Sequence, residues 1–268
     1  MRVEIGAALG TTITHLRAVG GGDINDAYAA TTADGRTVFV KHNDGAPDGM
    51  FDAEADGLAW LAEARAIRIP KTLAIGRDFL VLEWLEPSAR PRGFDEALGR
   101  GLAMLHRFGA TANGHTRDNF IATIPQDNRD APRFYLERRL LPLIDRAIAT
   151  RGAPTLWRDQ ARALEIPDEP PARLHGDLWS GNVHCSDGGP VLIDPAVYGG
   201  HREIDLAMLA LFGGLSDAVA RAYDEVHPLE PSWRERVPIW QLYPLLVHTI
   251  LFGGGYGAQV DSILRRFC

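Results

Sequence analysis

The sequence predicts an α+β protein of two lobes, a small strand-rich lobe over residues 1–84 and a larger helical lobe over residues 85–268. Up to residue 84, short apolar runs alternate with glycine and aspartate turns, a pattern typical of strands and hairpins. From about residue 88, apolar residues recur at steps of three and four, which indicates amphipathic helices. A polar loop over residues 174–182 interrupts these helices, and we expect it to face a cleft between the lobes.

Composition narrows the class of protein. The chain has 268 residues, 46% of them apolar, which is enough for a hydrophobic core that needs no disulfide bond or structural metal. Its 28 basic and 35 acidic residues give a net charge of −7, so no nucleic-acid partner is expected. Cys185 and Cys268 alone support neither a disulfide framework nor a four-ligand zinc site, which favours a reducing, cytoplasmic compartment. No leader-like start or membrane-length apolar run is present, so no membrane partner is expected.

The N-terminal lobe begins with three predicted strands. A glycine-rich turn over residues 20–25 joins the first two strands, and an Asp34-Gly35 hairpin joins the next two. Glycines such as Gly21 and Gly22 let a backbone approach a ligand closely, but taken without the polar loop downstream an ordinary hairpin turn is the favoured explanation. The strands are predicted over residues 14–20, 28–32 and 37–41.

A lysine at the end of the third strand and an acid on the following helix are placed so that they could form an ion pair. Lys41 ends the third strand, and a helix over residues 51–61 follows it. Phe51, Leu58 and Leu61 share one face of that helix, and Glu54 lies beside them by the three-to-four spacing. We therefore predict a Lys41–Glu54 pair. Strands over residues 72–76 and 79–83 complete the lobe, and the second leads into the connector Glu83-Trp84-Leu85.

The helical lobe begins with a clear amphipathic pattern that stops at Gly109. His106 on this helix is expected to be structural. Pro142 is expected to kink the next helix or to mark a joint, and prolines around residues 167–171 break the chain before the polar loop. Helices are predicted over residues 94–108, 134–150, 154–165, 203–212, 216–226 and 232–252.

The polar loop carries the chemistry. Asp177 and Asn182 lie five residues apart around Gly181, and Asp194 follows a short apolar run, so three oxygen-bearing side chains can converge. Phosphoryl transfer needs a carboxylate that accepts the proton of the acceptor hydroxyl, and hard oxygen ligands that hold Mg²⁺ against the phosphates of ATP. Asp177 suits the first role, and Asn182 with Asp194 suits the second. Each residue alone could simply form a turn, but closing these turns does not require all three.

Protein kinases have the same spacing from aspartate to asparagine, with a strand before the metal-binding aspartate. In this chain Gly176 replaces the arginine of the kinase pattern, and Pro195-Ala196 replaces Phe-Gly. The stretches at residues 175–182, 193–198 and 202–208 resemble the fructosamine kinase (ketosamine-3-kinase) family. That family belongs to the aminoglycoside phosphotransferase and choline kinase branch of the protein-kinase-like fold.

The resemblance assigns roles in the N-terminal lobe. It implies that Gly21 and Gly22 cover the nucleotide, that Lys41 pairs with its α- and β-phosphates, and that Glu54 holds the lysine. By analogy with kinases, Glu83, Trp84 and Leu85 would form the hinge that binds the adenine edge. A buried strand that merely leads to a loop would look the same in sequence.

The resemblance also implies ATP and Mg²⁺ as cofactors and a ketosamine as acceptor, either a small molecule or a glycated lysine on a protein, in a deglycation repair reaction. In related kinases an acid at the position of Asp205 braces the catalytic loop. Two departures are local: Ala122 stands where glycine is expected, and the tryptophan expected after Asn128 is missing. His201 replaces an aspartate that is usual in the family, so an ammonium contact there is lost or becomes pH-dependent.

Three side chains are candidates for acceptor binding, namely Trp179, Tyr198 and Glu203. Trp179 could pack on the sugar face, or it could be a buried wedge under the loop. Two other functions stay open at this point. One is a small-molecule kinase for a choline-like or aminoglycoside-like alcohol. The other is a pseudokinase that binds nucleotide without catalysis, against which stands the presence of Lys41 and of all three oxygen-bearing side chains.

Overall fold

The computed structural model describes residues 1–20 and 24–268. Its N-terminal lobe contains a five-stranded antiparallel sheet with the strand order β1-β2-β3-β5-β4, which puts β3 at the centre. Helix α1 packs against β1 and β4, and helix α2 packs against β4 and β5. The elements are α1 Arg2–Leu9, β1 Ile13–Ala18, β2 Asp26–Thr32, β3 Thr37–His42, α2 Met50–Glu63, β4 Thr72–Ile75 and β5 Phe79–Glu83.

The C-terminal lobe is mainly helical, with three short antiparallel pairs of strands that shape its loops. Its helices are α3 Phe94–Phe108, α4 Leu141–Arg151, α5 Trp157–Ala163, α6 Glu203–Leu211, α7 Asp217–Val226, α8 Trp233–Phe252 and α9 Tyr256–Phe267. The pairs are β6 Asn119–Ile121 with β7 Ile124–Gln126, β8 Ala172–Leu174 with β11 Tyr198–Gly200, and β9 Val183–Ser186 with β10 Gly189–Leu192.

This architecture confirms the predicted α+β class with a kinase-like arrangement of lobes. The predicted strands and helices are all found within a few residues of their expected ends. The joint expected at Pro142 is also found, because a π-helical turn over Tyr135–Leu140 gives way to α4 at Leu141. The expected glycine turn falls partly on residues 21–23, so Gly21 and Gly22 lie outside the described residues.

Two helices were not predicted. Helix α1 buries only Ile5 and Gly6, so its sequence carries almost no amphipathic pattern. Helix α9 buries Val260 and Leu264 alone, and it follows three glycines at residues 253–255 that suggest a loop. For α1 the neighbouring elements, rather than a local pattern, stabilise the helix. Helix α9 carries an amphipathic pattern of its own, with Val260, Ile263 and Leu264 on one face, so its apolar spacing could have predicted it.

Within residues 1–20 and 24–268, the buried apolar residues form three clusters. One lies within the sheet around Val40 and Val81, and another lies among the C-terminal helices around Trp240 and Leu246. The remaining cluster joins α2 and β5 to α3, α6 and α7, so it takes residues from both sides of the predicted boundary at residue 84. That boundary therefore stays a prediction. Among the described residues, no helix combines the length and the apolarity needed to cross a membrane.

Candidate active site

A buried acid holds the catalytic loop, residues 175–182, in place. Asp205 on α6 accepts hydrogen bonds from the backbone N–H groups of His175, at 2.7 Å, and of Gly176, at 3.0 Å. His106 approaches the same carboxylate through Nε2 at 3.2 Å and is itself fully buried. Burial alone would raise the pKa of Asp205, but these hydrogen bonds and His106 outweigh it and lower the pKa. The predicted roles of Asp205 as a brace and of His106 as a structural residue are confirmed.

The loop backbone also explains why glycine replaces the arginine of the kinase pattern. Gly176 has a φ of +80°, in the left-handed region that favours glycine. A Cβ at this position would overlap the carbonyl oxygen of Ala196, whose N–H donates to the His175 carbonyl at 2.9 Å. The loop and the segment after Asp194 therefore approach too closely for any larger residue.

Asp177 lies at the centre of the site, in surroundings that suit a general base. Asn182 donates from Nδ2 to the Asp177 carbonyl oxygen at 2.9 Å and to its carboxylate at 3.2 Å. Burial, followed by the nearby charge of Asp194, raises the pKa of Asp177 to about 7. A base whose pKa lies near the working pH combines a large ionised fraction with a real affinity for the proton.

Lys41 connects the two lobes. Its ammonium lies 2.5 Å from the Glu54 carboxylate on α2 and 2.6 Å from the Asp194 carboxylate in the C-terminal lobe. Burial alone would lower the pKa of Lys41, but the two carboxylates outweigh it and raise the pKa. The structure thus contains the Lys41–Glu54 pair, and Lys41 stays charged where an anionic phosphate could exchange with one of the carboxylates.

The oxygen donors fit Mg²⁺. Asp194 has a φ of +56°, an uncommon conformation for a residue other than glycine, and its side chain is 37% exposed. Because Asn182 uses its amide nitrogen to hold Asp177, its carboxamide oxygen is the atom left for a metal. A carboxylate and a carboxamide oxygen are hard ligands of the type that Mg²⁺ prefers, so Asn182 and Asp194 would hold it.

The connector after β5 is only partly available to an adenine. The Glu83 N–H donates to the Lys71 carbonyl at 2.9 Å, and the Glu83 carboxylate accepts from the Lys71 N–H at 3.2 Å. Trp84 and Leu85 are half-buried, and the Trp84 indole donates to Glu86 at 2.7 Å. An adenine edge would therefore have to use backbone groups other than the Glu83 N–H.

The acceptor candidates separate into one exposed and two buried side chains. Trp179 is 40% exposed and lies over Gly181, which excludes the buried wedge. Tyr198 is fully buried against the Arg139 guanidinium, 3.9 Å from its ring centre. Glu203 is 2% exposed, pairs with Arg236, and accepts from the Trp240 indole at 2.8 Å. Both side chains are buried by their neighbours and present no open surface, so the structure does not support the expected contact of Tyr198 and Glu203 with the acceptor, which stays an untested prediction.

His201 is also part of the packing. Its ring stacks on Trp240 with 4.6 Å between the ring centres, and Nδ1 lies 3.4 Å from Glu169. Burial lowers the pKa of His201. His201 therefore contacts Trp240 and Glu169, and it does not provide the carboxylate with which an aspartate could bind the ammonium group of a substrate.

Contacts that fix helix α2 had no signal in the sequence. His115 donates from Nε2 to Asp56 at 2.7 Å. Arg173 on β8 pairs with Glu63 at 2.8 Å and lies over the Trp60 ring at 4.2 Å. These contacts attach α2, and with it Glu54, to the C-terminal lobe. They join residues that are far apart in sequence, so no local spacing could have revealed them.

The fold and the site together define an ATP-dependent phosphotransferase of the protein-kinase-like class. The fructosamine kinase family model matches residues 3–268, and the chain belongs to that family. A probable ketoamine kinase of Enterococcus faecium is 38% identical, over 92% of this chain and 93% of its own length. The protein-ribulosamine 3-kinase of Arabidopsis thaliana, named as chloroplastic, is 37% identical over 96% of this chain and 83% of its own.

Solved structures agree with this assignment. A protein of Thermobifida fusca that carries the name of a fructosamine-3-kinase superposes with a TM-score of 0.89 at 41% identity, covering 99% of this chain and 97% of that one. A macrolide 2'-phosphotransferase superposes with a TM-score of 0.65 at 15% identity, covering 99% and 96% of the two chains. This second likeness shows the fold alone.

Proposed function

We propose that this protein transfers the γ-phosphoryl group of ATP to a sugar hydroxyl of a ketosamine, the product of a sugar and an amine. The observation that carries the proposal is the exposed Trp179 ring, two residues from the catalytic Asp177. A ketosamine offers an apolar sugar face beside several hydroxyls, so one ring could hold the face while Asp177 takes a hydroxyl proton. Relatives named as ketoamine and ribulosamine kinases support this substrate class.

Each residue of the candidate active site has its own role in the proposed reaction. Asp177 accepts the proton of the attacking hydroxyl, and Asn182 orients its carboxylate. Lys41, held by Glu54, provides a positive charge for the α- and β-phosphates. Asn182 and Asp194 would hold Mg²⁺, which when bound neutralises charge on the β- and γ-phosphate oxygens. Gly21, Gly22, Trp84 and Leu85 remain proposed nucleotide contacts.

Phosphorylation of the sugar is proposed to begin removal of a glycation adduct, in a cytoplasmic repair reaction. The adduct could be carried by a small molecule or by a lysine of a protein. Both groups have the same sugar and secondary amine at the reacting end, so Asp177 and Trp179 serve either one.

A screen of acceptors tests the proposal. ATP consumption would be measured with ribulose-lysine, fructose-lysine, erythrulose-lysine, choline and kanamycin, beside an Asp177→Asn control. We expect turnover with at least one ketosamine, reduced ~10²–10⁴-fold in the control because asparagine cannot accept the proton. Turnover with choline or kanamycin alone would favour the second candidate, a kinase of cationic alcohols, whose ammonium groups exposed aromatic faces can also bind. Absence of turnover with every acceptor would contradict both.

A further inference from the structure

Five aromatic side chains form a continuous row that begins at the catalytic loop. The ring centres of Trp179 and Phe212 are 6.0 Å apart, those of Phe212 and His248 are 5.2 Å apart, and those of His248 and Phe252 are 5.5 Å apart. The Tyr256 ring lies 4.9 Å from His248. Spacings of this size are those of aromatic side chains in direct contact. We call Trp179, Phe212, His248, Phe252 and Tyr256 the aromatic row.

The row is assembled from four separate elements. Trp179 belongs to the catalytic loop, and Phe212 follows the last residue of α6. His248 and Phe252 are four residues apart on α8, and therefore lie on one face of that helix. Gly253 and Gly254 have φ values of +68° and +65°, and this turn returns Tyr256 to His248. Because glycine tolerates such values readily, the turn fixes the far end of the row without a steric cost.

The outer end of the row is open to solvent. Phe252 is 60% exposed and Trp179 is 40% exposed, whereas the other three rings are half-buried. His248 donates from Nδ1 to the Pro244 carbonyl at 2.7 Å, which fixes its ring within the row. A single exposed ring is ordinary on a protein surface, but a fixed row that leads out of an active site is suited to bind a ligand.

The shape of a ketosamine determines which of its parts can reach the aromatic row. Its sugar must lie at Asp177, so the amine and the molecule that carries it must continue away from the catalytic loop. Glu203 is enclosed by Arg236 and Trp240, so it is not free to meet the ammonium. Aromatic faces attract ammonium groups and also pack against apolar side chains. The row can therefore meet the amine at its inner end, near Trp179 and Phe212, and an apolar carrier farther out, at Phe252 and Tyr256.

We propose that Phe252 and Tyr256 form a subsite for the carrier, and that the preferred acceptor is a ketosamine on a peptide segment with an apolar side chain next to the modified lysine. This inference rests on the proposed ketosamine kinase activity. Each peptide residue spans roughly 3.3–3.6 Å when extended. The two steps from Phe212 to Phe252 thus match a few peptide residues better than a single free amino acid.

The test compares two acceptors with carriers of different size. One is ribulosyl-glycine, and the other is a blocked tripeptide with a ribulosyl-lysine beside a phenylalanine. The value of kcat/KM would be measured for both with the parent, with Phe252→Ser and Tyr256→Ser, and with Met104→Ser as a control. Met104 lies on α3 and is 47% exposed, so it matches the loss of a large exposed apolar side chain outside the row.

We expect the parent and the Met104→Ser control to prefer the tripeptide. In the two row variants, the ratio of kcat/KM for the tripeptide to that for ribulosyl-glycine should fall about three- to tenfold, as expected for the loss of one aromatic contact. A parent that uses both acceptors, with a ratio that the row variants leave unchanged, would overturn the carrier subsite but leave the kinase proposal intact. A parent that uses neither acceptor would overturn both.

A second copy of this chain is another conceivable occupant of the row. The molecular mass in solution would therefore be measured for the parent and for Phe252→Ser by sedimentation. A parent dimer that Phe252→Ser converts to a monomer would overturn the carrier subsite and assign the row to self-association. An equal mass for both proteins, together with the changed ratio, supports the subsite.

Discussion

At the scale of single residues, the site depends on a carboxylate that folding keeps from ionising easily. Asp177 is surrounded by the loop and faces the charge of Asp194, which together raise its pKa to about 7. Asn182 opposes this rise by donating to the carboxylate, and so keeps the ionised form accessible. The spacing in the sequence predicts that these neighbours converge on Asp177, but their effect on its pKa depends on burial and therefore on packing.

The raised pKa predicts two opposite dependences on pH. The catalytic base must be ionised, so kcat/KM for the acceptor should rise with pH up to about 7 and then level off. Folding stability should change in the opposite direction. Because the folded pKa lies above the ordinary value of roughly 3.9, ionisation costs stability from about pH 4 upward, until the cost becomes constant above about 7.

The variant Asp177→Asn separates these effects, since asparagine cannot ionise. Relative to the parent, it should gain thermal stability at pH 8 and gain less at pH 4.5, measured as the difference in Tm at each pH. An equal difference at both values would contradict the raised pKa of Asp177. The pH dependence of kcat/KM, measured in parallel on the parent, shows whether the same group controls activity and folding stability.

Trp179 provides a second prediction at this scale. In Trp179→Leu, the KM for ribulose-lysine should rise about three- to tenfold, because one ring contact with the sugar is lost. The KM for ATP serves as the internal control and should change much less. The Tm should stay close to that of the parent, since the ring is 40% exposed. A Tm several degrees lower, with both constants raised together, would instead make Trp179 part of the packing.

At the scale of elements, helix α2 is attached to the C-terminal lobe as well as to the sheet. Gly57 faces Val197 so closely that an added Cβ would come within 3.2 Å of its methyl groups. His115 and Arg173 add polar contacts to Asp56 and Glu63 on the same helix. Since Glu54 lies on α2, these contacts should determine where the Lys41 ammonium is held.

Arg173→Met tests this positioning role, because it removes the charged contact but keeps an apolar chain over Trp60. We expect a loss of about 1–3 kcal/mol in unfolding free energy and a severalfold increase in the KM for ATP. The matched control is Arg100→Met, which removes a surface pair with Glu225 and should cost under about 1 kcal/mol. If Arg173→Met is destabilised while its KM for ATP stays unchanged, α2 does not depend on Arg173 for its position.

At the scale of the whole molecule, the lobes share packing as well as the site. One core cluster joins α2 and β5 to helices of the C-terminal lobe. The contact between Lys41 in the N-terminal lobe and Asp194 in the C-terminal lobe also joins the two lobes. A ligand that binds both sides should therefore stabilise the molecule as a unit, by about 2.7 kcal/mol at a hundredfold excess over its Kd.

Asp194→Ala should remove part of that stabilisation. We expect MgATP to raise the Tm of the parent more than adenosine does, because only the nucleotide with metal uses the Asp194 carboxylate. In Asp194→Ala, MgATP should raise the Tm no more than adenosine does, while the rise in Tm with adenosine should persist. Calorimetric titration gives the same comparison as binding constants. Equal losses for the two ligands would make Asp194 a structural residue.

The sequence by itself determined the elements whose apolar pattern is strong, such as α3, and the residue types of the catalytic loop. Spacing was sufficient for Asp177, Asn182 and Asp194, because a loop and the strand after it bring them together locally. The pairing of Lys41 with Glu54 was also predictable, since a strand end and the next helix fix their relation. The family resemblance added the reaction class.

Only the tertiary structure decided which side chains are enclosed and which surfaces are continuous. Tyr198 and Glu203 follow the catalytic loop in sequence, yet Arg139 and Arg236 from distant helical segments cover them. Helix α9 packs against α8 and α5, and only the structure identifies these partners. The aromatic row joins four elements separated by up to 77 positions, between Trp179 and Tyr256. Burial depends on contacts between such distant segments, and local spacing contains no information about them.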